Sequence, residues 1–128
     1  MELNIPVGIV YESEMVVEAK HTATAYGSGL AEVFATPAMV AFMENAAYKS
    51  IEQFLPDGTS TVGAVINVKH LKATLPGKTV KAVSKTTAVE GRQISFEIQV
   101  FERDALVGSA THERFVVDNE RFMQKLLG

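Results

Sequence analysis

The sequence predicts an α+β protein, with one long helix packed on one face of an antiparallel sheet. Three observations carry this reading. There is a single clear helical segment, Pro37 to Leu55; four strand-like runs follow it in succession; and turn residues stand at each break between those runs. The 128 residues contain no internal repeat, and 47% apolar against 21% charged content suits one compact domain over residues 1–128 with a sizeable core.

The elements follow in order. Residues Pro6 to Val17 mix β-branched side chains with glutamates and read as a strand. The stretch "AYGSGLAEVFATP" supplies two glycines and a serine, a loop signal. Thr36 then suits the N-cap of the helix, Pro37 its first turn, and Pro56-Asp57-Gly58 its end. The strand-like runs are "TSTVGAVINVKHLKATL", "KTVKAVSKTTAVE", "RQISFEIQVFE" and "ALVGSATHERFVV". Breaks at Pro76-Gly77, Glu90-Gly91 and Arg103-Asp104 predict hairpins in an antiparallel meander, closed by a short helix over Asn119 to Leu127.

Composition excludes several classes of function. Without cysteine there is no disulfide framework, thiolate nucleophile or cysteine metal site. The start "MELNIPVGIVYESEM" lacks a signal-peptide pattern, and no stretch approaches the roughly 20 apolar residues of a membrane span, so a soluble cytoplasmic protein with no membrane partner is expected. The net charge of −3 is uneven. Residues 1–57 hold eight acids against Lys20 and Lys49, whereas residues 58–89 hold no acid but Lys69, Lys72, Lys78, Lys81 and Lys85. That basic stretch suits a solvated strand face or a phosphorylated small molecule; it is too modest, with too few aromatics, for nucleic acid.

Polar residues in apolar surroundings mark a candidate site. On a helical wheel Val40, Ala41, Glu44, Ala47, Tyr48, Ile51 and Leu55 share one side, with Glu44 at its centre. A carboxylate there responds by a raised pKa or by recruiting a partner, unless the helix lies at a rim or oligomer seam. Strict alternation in the next strand places Val62, Ala64, Ile66, Val68 and His70 on one face, and Gly63, Val65, Asn67 and Lys69 on the other. His70 thus ends an apolar face, as a satisfied core residue or as a partner for Glu44 across a helix–sheet interface. Thr36 has an ordinary capping role, yet a helix N-terminus also suits a polarised carbonyl or oxyanion. Glu44 lies eight residues further on, about 12 Å of rise.

The runs "VFATPAMVAFMENAA", "TVGAVINVKHLKATLPGKTV", "GRQISFEIQVFE" and "GSATHERFVV" together resemble the hotdog-fold acyl-CoA thioesterases, in the branch typified by fluoroacetyl-CoA thioesterase. The resemblance covers about Val7 to Phe122. It implies a long central helix wrapped by a curved antiparallel sheet, and a homodimer, with pairing of dimers left open, that holds acyl-CoA in a cleft at the seam. It also implies that Thr36, Glu44 and His70 are catalytic and that the Gly63 backbone lies near the thioester. Arg114 and His112 of "HER" have supporting roles, the arginine toward the ligand's phosphates or a carboxylate, and Leu30 and Phe34 line the pocket or its lid. No metal and no cofactor are expected, since a thioester is already activated. Glu44 serves as general base for water or as direct nucleophile. Rival readings are a non-catalytic acyl-CoA binding module, an enoyl-CoA hydratase on the same fold, and a purely structural dimer. The aspartate and histidine close together on a helix that such hydratases resemble is missing, as the histidines are His21, His70 and His112.

Overall fold

Five strands form one antiparallel sheet in the computed structural model, which describes residues 2–128. They are β1 (Val10–Val16), β2 (Thr59–His70), β3 (Thr79–Glu90), β4 (Gln93–Glu102) and β5 (Ala105–Asp118), in spatial order β1-β3-β4-β5-β2. The single-turn α1 (Ala23–Tyr26) precedes the long α2 (Thr36–Ile51), which lies on the inner face of the sheet; α3 (Asn119–Leu127) ends the chain. Inward side chains alternate along the central strands. Val80, Ala82, Ile94, Phe96, Ile98 and Val100 are buried against Met39, Met43, Ala46, Ala47 and Ile51 of the helix. The alanines let the helix approach closely, and the flexible methionines fill what remains.

The hairpins at Gly91 and Arg103-Asp104 fall where the turn residues predict, with Gly91 at φ 60° and Arg103 at φ 54°. The meander does not extend to β2. β1 occupies the free edge of β3, so β2 pairs instead with β5 at the opposite edge of the sheet. The intervening segment crosses one end of the sheet. Leu71 and Lys72 donate backbone N–H groups to the Val107 carbonyl, Phe34 donates to Thr74, and Gly77 donates to Val17. This crossover delivers the last residue of β2, His70, to the start of α2.

Three local expectations are corrected. The N-cap of α2 is Ala35, in extended conformation and without a side-chain cap bond; Thr36 is the first helical residue, and its hydroxyl turns elsewhere. The helix stops at Ile51, followed by a 3-10 turn over Glu52–Phe54, because Pro56 drives Leu55 to an extended φ −89°, ψ 139°. The alternation in β2 is broken by a bulge: Gly63 pairs with Arg114 and Val65 with Glu113, leaving Ala64 as the extra residue. Thr61 and Gly63, rather than Val62 and Ala64, therefore share the inner face with Ile66, Val68 and His70.

Gly108, opposite His70, lies hard against the helix. A Cβ there would stand 2.6 Å from Met39 Sδ and 3.1 Å from the Lys69 carbonyl oxygen, and Met39 has no exposed surface. Gly108→Ala is expected to destabilise the fold by about 1–3 kcal/mol, the usual cost of overpacking. Chemical denaturation checks this, and an unchanged midpoint would show that Met39 relocates freely.

Candidate active site

Two polar clusters line the inner face of the sheet, one at each end of β2. The first joins Thr36 and His70. The Thr36 Oγ1 lies 2.8 Å from His70 Nδ1, a hydrogen bond the hydroxyl can make as donor or acceptor. The other ring nitrogen, Nε2, is buried without a hydrogen-bond partner of good geometry. Phe34 is fully buried and presents its ring edge-on to the imidazole, centroids 6.3 Å apart at 79°. Burial pushes the His70 pKa below the ordinary imidazole value, while a backbone bond at Lys72 pulls it up. A cavity of about 330 Å³ lies over this pair, lined by Phe34, Thr36, His70, Leu71 and Lys72 among others. Leu30 is not part of that lining; it is 97% exposed on the loop before α2.

The second cluster is built on Arg114. Two residues earlier on β5 stands His112, and both face inward, in a row with Ala110 and Val116. The Arg114 side chain is 8% exposed. Its Nε donates to Thr61 Oγ1 at 2.8 Å, its Nη2 to the Thr61 carbonyl at 3.0 Å, and its Nη1 to Glu44 Oε2 at 3.3 Å. Nη1 also lies 3.2 Å from His112 Nε2, and His112 Nδ1 lies 2.7 Å from the Val65 carbonyl. The resemblance offered Arg114 the ligand's phosphates or a carboxylate; the carboxylate it binds is Glu44.

Glu44 is not at the centre of the buried face of α2. That face runs through Met39, Met43, Ala46, Ala47 and Ser50, and Glu44 sits at its flank, 39% exposed, beside half-buried Tyr48. The wheel misplaces the face because the helix buries its alanines and methionines and leaves Val40 and Tyr48 only half covered. Glu44 packs instead over Gly63, where a Cβ would stand 2.6 Å from Oε2, so the bare backbone of Gly63 makes room for the carboxylate.

The chain thus brings Thr36 to His70 and Phe34, and Glu44 to Gly63 and Arg114. It does not bring the two groups together, because eight residues of helix, about 12 Å of rise, separate Thr36 from Glu44. Thr61 was missed in sequence. An inward arginine at Arg114 calls for acceptors on the facing strand, and that demand could have pointed to Thr61. Among the described residues no three His, Cys, Asp or Glu side chains converge as a metal cluster, and no helix is long and apolar enough to cross a membrane.

A long helix on one face of a five-stranded antiparallel sheet of this order is a hotdog fold. A hot-dog-like protein from Thermanaerovibrio acidaminovorans superposes with a TM-score of 0.88 at 24% identity, covering 96% of this chain and 91% of that one. The family profile described as fluoroacetyl-CoA-specific thioesterase (FlK) matches residues 17–120, and the chain belongs to that family of thioester hydrolases. A fluoroacetyl-CoA thioesterase from Streptantibioticus cattleyicolor is 39% identical over 95 residues, 74% of this chain and 68% of that protein. A phenylalanine-to-alanine variant of the fluoroacetyl-CoA-specific thioesterase, solved in complex with fluoroacetate and CoA, superposes with a TM-score of 0.86 at 34% identity, covering 92% and 99% of the two chains.

The histidines set a pH dependence of stability. Burial lowers the pKa of both His70 and His112 from the ordinary 6.5. Below that value the unfolded chain takes up protons that the folded chain resists, so the unfolded state is favoured as pH falls. The melting temperature is expected to drop as pH is lowered from about 7.5 to about 5, with a smaller drop in His112→Gln. Calorimetry at several pH values checks this; a flat profile would mean that neither ring resists protonation.

Proposed function

We propose that the protein hydrolyses the thioester of a short acyl-CoA, in a site that two copies of the chain build together. The observation that carries the reading is the Thr36–His70 hydrogen bond at a helix start, with the Arg114-tethered carboxylate of Glu44 on the same helix. The hydroxyl, the imidazole and the free N–H groups at the start of α2 orient and polarise the thioester carbonyl. Glu44 either takes a proton from the water that attacks the carbonyl carbon, or attacks that carbon itself to give an anhydride that water then cleaves. Either way the C–S bond breaks and the departing thiolate receives a proton to leave as CoA. Lys72 lines the cavity over His70 and supplies a cation for the phosphates of CoA. A pure binding module has no use for this set of groups. The family relatives carry a fluoroacetyl group in their names; the substrate inferred here is the wider class of short acyl-CoA. A cytoplasmic location fits a chain without cysteine.

The second copy answers a problem of reach. From one chain, Thr36 and Glu44 are too far apart to act on one carbonyl. β2 is an edge strand of 12 residues, and Ser60 to Val68 contains neither charge nor proline, whereas the other edge, β1, is blunted by Glu12 and Glu14. Two-fold antiparallel pairing of β2 with its copy reverses the strand at the seam. The Gly63–Glu44 end of one chain then lies beside the Thr36–His70 end of the other.

Glu44→Gln is expected to reduce acyl-CoA hydrolysis by about 100-fold or more while the chain stays folded. Thr36→Ala should also be slow. Mixing the two inactive variants under subunit exchange should restore about a quarter of the parent rate, because each mixed dimer keeps one intact composite site. Release of free thiol reads the outcome. No recovery in proven mixed dimers would place Glu44 and Thr36 in the same chain's site, and full activity of Glu44→Gln would make Glu44 structural.

A further inference from the structure

We infer that His112 is a positioning residue: held in one tautomer, it aims the Arg114 guanidinium and, through it, the Glu44 carboxylate. The use made of Glu44 rests on the thioesterase reading; the tautomer rests on hydrogen counting alone. A guanidinium can only donate, so the 3.2 Å contact between Arg114 Nη1 and His112 Nε2 requires a bare Nε2. The ring proton therefore sits on Nδ1, where it donates to the Val65 carbonyl at 2.7 Å. Val65 is the first paired residue beyond the bulge, so His112 ties down β2 where its ladder is interrupted.

Arg114 has two anchored corners and one movable one. Thr61 holds Nε and Nη2, while Nη1 alone is shared between Glu44 and His112. Removing the imidazole lone pair frees that corner. Protonating Nε2 sets one N–H against another and one cation beside another. Either change moves the corner that carries the carboxylate, and the close backbone of Gly63 leaves Oε2 little room to follow.

The charged and titratable groups around this ring are Arg114 and Glu113 from β5 and Glu44 from α2, with Tyr48 of α2 beside Arg114. From β4 the ring meets Phe96, centroids 5.8 Å apart. Burial is the largest influence and keeps the ring below the ordinary imidazole value. The Val65 carbonyl opposes it, Arg114 reinforces it, and Glu44 and Glu113 oppose it in turn.

Nitrogen-15 NMR of the labelled parent protein reads the tautomer directly. The expected result at neutral pH is a protonated Nδ1 and a bare Nε2. An Nε2–H tautomer or an imidazolium overturns the proposal, whatever the protein's activity proves to be. Two variants read the consequence. His112→Phe fills the space without an acceptor, and is expected to lower kcat by about 100-fold with KM little changed. His112→Gln offers an amide oxygen near the place of Nε2 but does not titrate. It is expected to recover most of that loss and to make the acid limb of the kcat profile shallower than the parent's. Parent-level kcat in a folded His112→Phe, or equal losses in both variants, overturns the proposal. Should His112→Phe fail to fold, the His112→Gln profile and the parent tautomer still decide it. A parent that releases no thiol from any acyl-CoA would defeat the thioesterase reading while leaving the tautomer assignment to stand or fall alone.

Discussion

A guanidinium withdrawn from water must find an acceptor for each of its corners, and in this fold that demand organises everything around Arg114. The cost of burying an unpaired ion is several kcal/mol, and good hydrogen bonds offset it only when geometry is close to ideal. Thr61 supplies two acceptors, Glu44 a third and His112 a fourth. Each supplier accounts for a feature that is otherwise odd. Glu44 stands at the flank of α2 because that is where a carboxylate can reach Nη1 while keeping one side toward solvent. Gly63 lacks a side chain because a Cβ there would stand only 2.6 Å from the carboxylate oxygen.

The same demand explains the bulge in β2. With strict alternation starting from Thr61 and Gly63, the inner face would continue through Val65, Asn67 and Lys69, and His70 would point outward. One extra residue, Ala64, restores parity, so Ile66, Val68 and His70 also face the helix. A single strand can then present acceptors for the arginine at one end and an imidazole for Thr36 at the other. The strand that carries both clusters is an edge of the sheet, without charge from Ser60 to Val68. In the proposed dimer, pairing that edge with a second copy would satisfy its open backbone groups and join the two clusters in one step.

Much of this was legible in the sequence, and the failures are physically instructive. The helix, the strand runs and the turns at Gly91 and Arg103-Asp104 follow from local chemistry, which needs no knowledge of partners. Glu44 and His70 stood out because charge and imidazole in apolar patterns are costly at any position. What was hidden depends on contacts distant in sequence. The order of β2 and β3 was misread because Pro76-Gly77 looks like a hairpin turn, and only the competition of β1 for the edge of β3 excludes that pairing. The bulge leaves no local mark beyond Gly63, and the parity error followed from it. Thr36 looked like an N-cap because its hydroxyl has two possible occupations, and the crossover that delivers His70 decides between them.

The two inward histidines also show how one residue type is given opposite tasks. Both rings are pushed below their ordinary pKa by burial. His112 has both nitrogens engaged, one by a carbonyl and one by a cation, so it can neither take up a proton cheaply nor turn. His70 has one nitrogen on a hydroxyl and the other buried without a hydrogen-bond partner of good geometry, and burial favours its neutral ring. Placing Arg114 beside His70 instead would set that ring against a permanent cation. Separating the arginine from His70 along β2 leaves the guanidinium to Thr61, His112 and the Glu44 carboxylate. Within one chain the two clusters therefore stand apart, toward opposite ends of an edge strand.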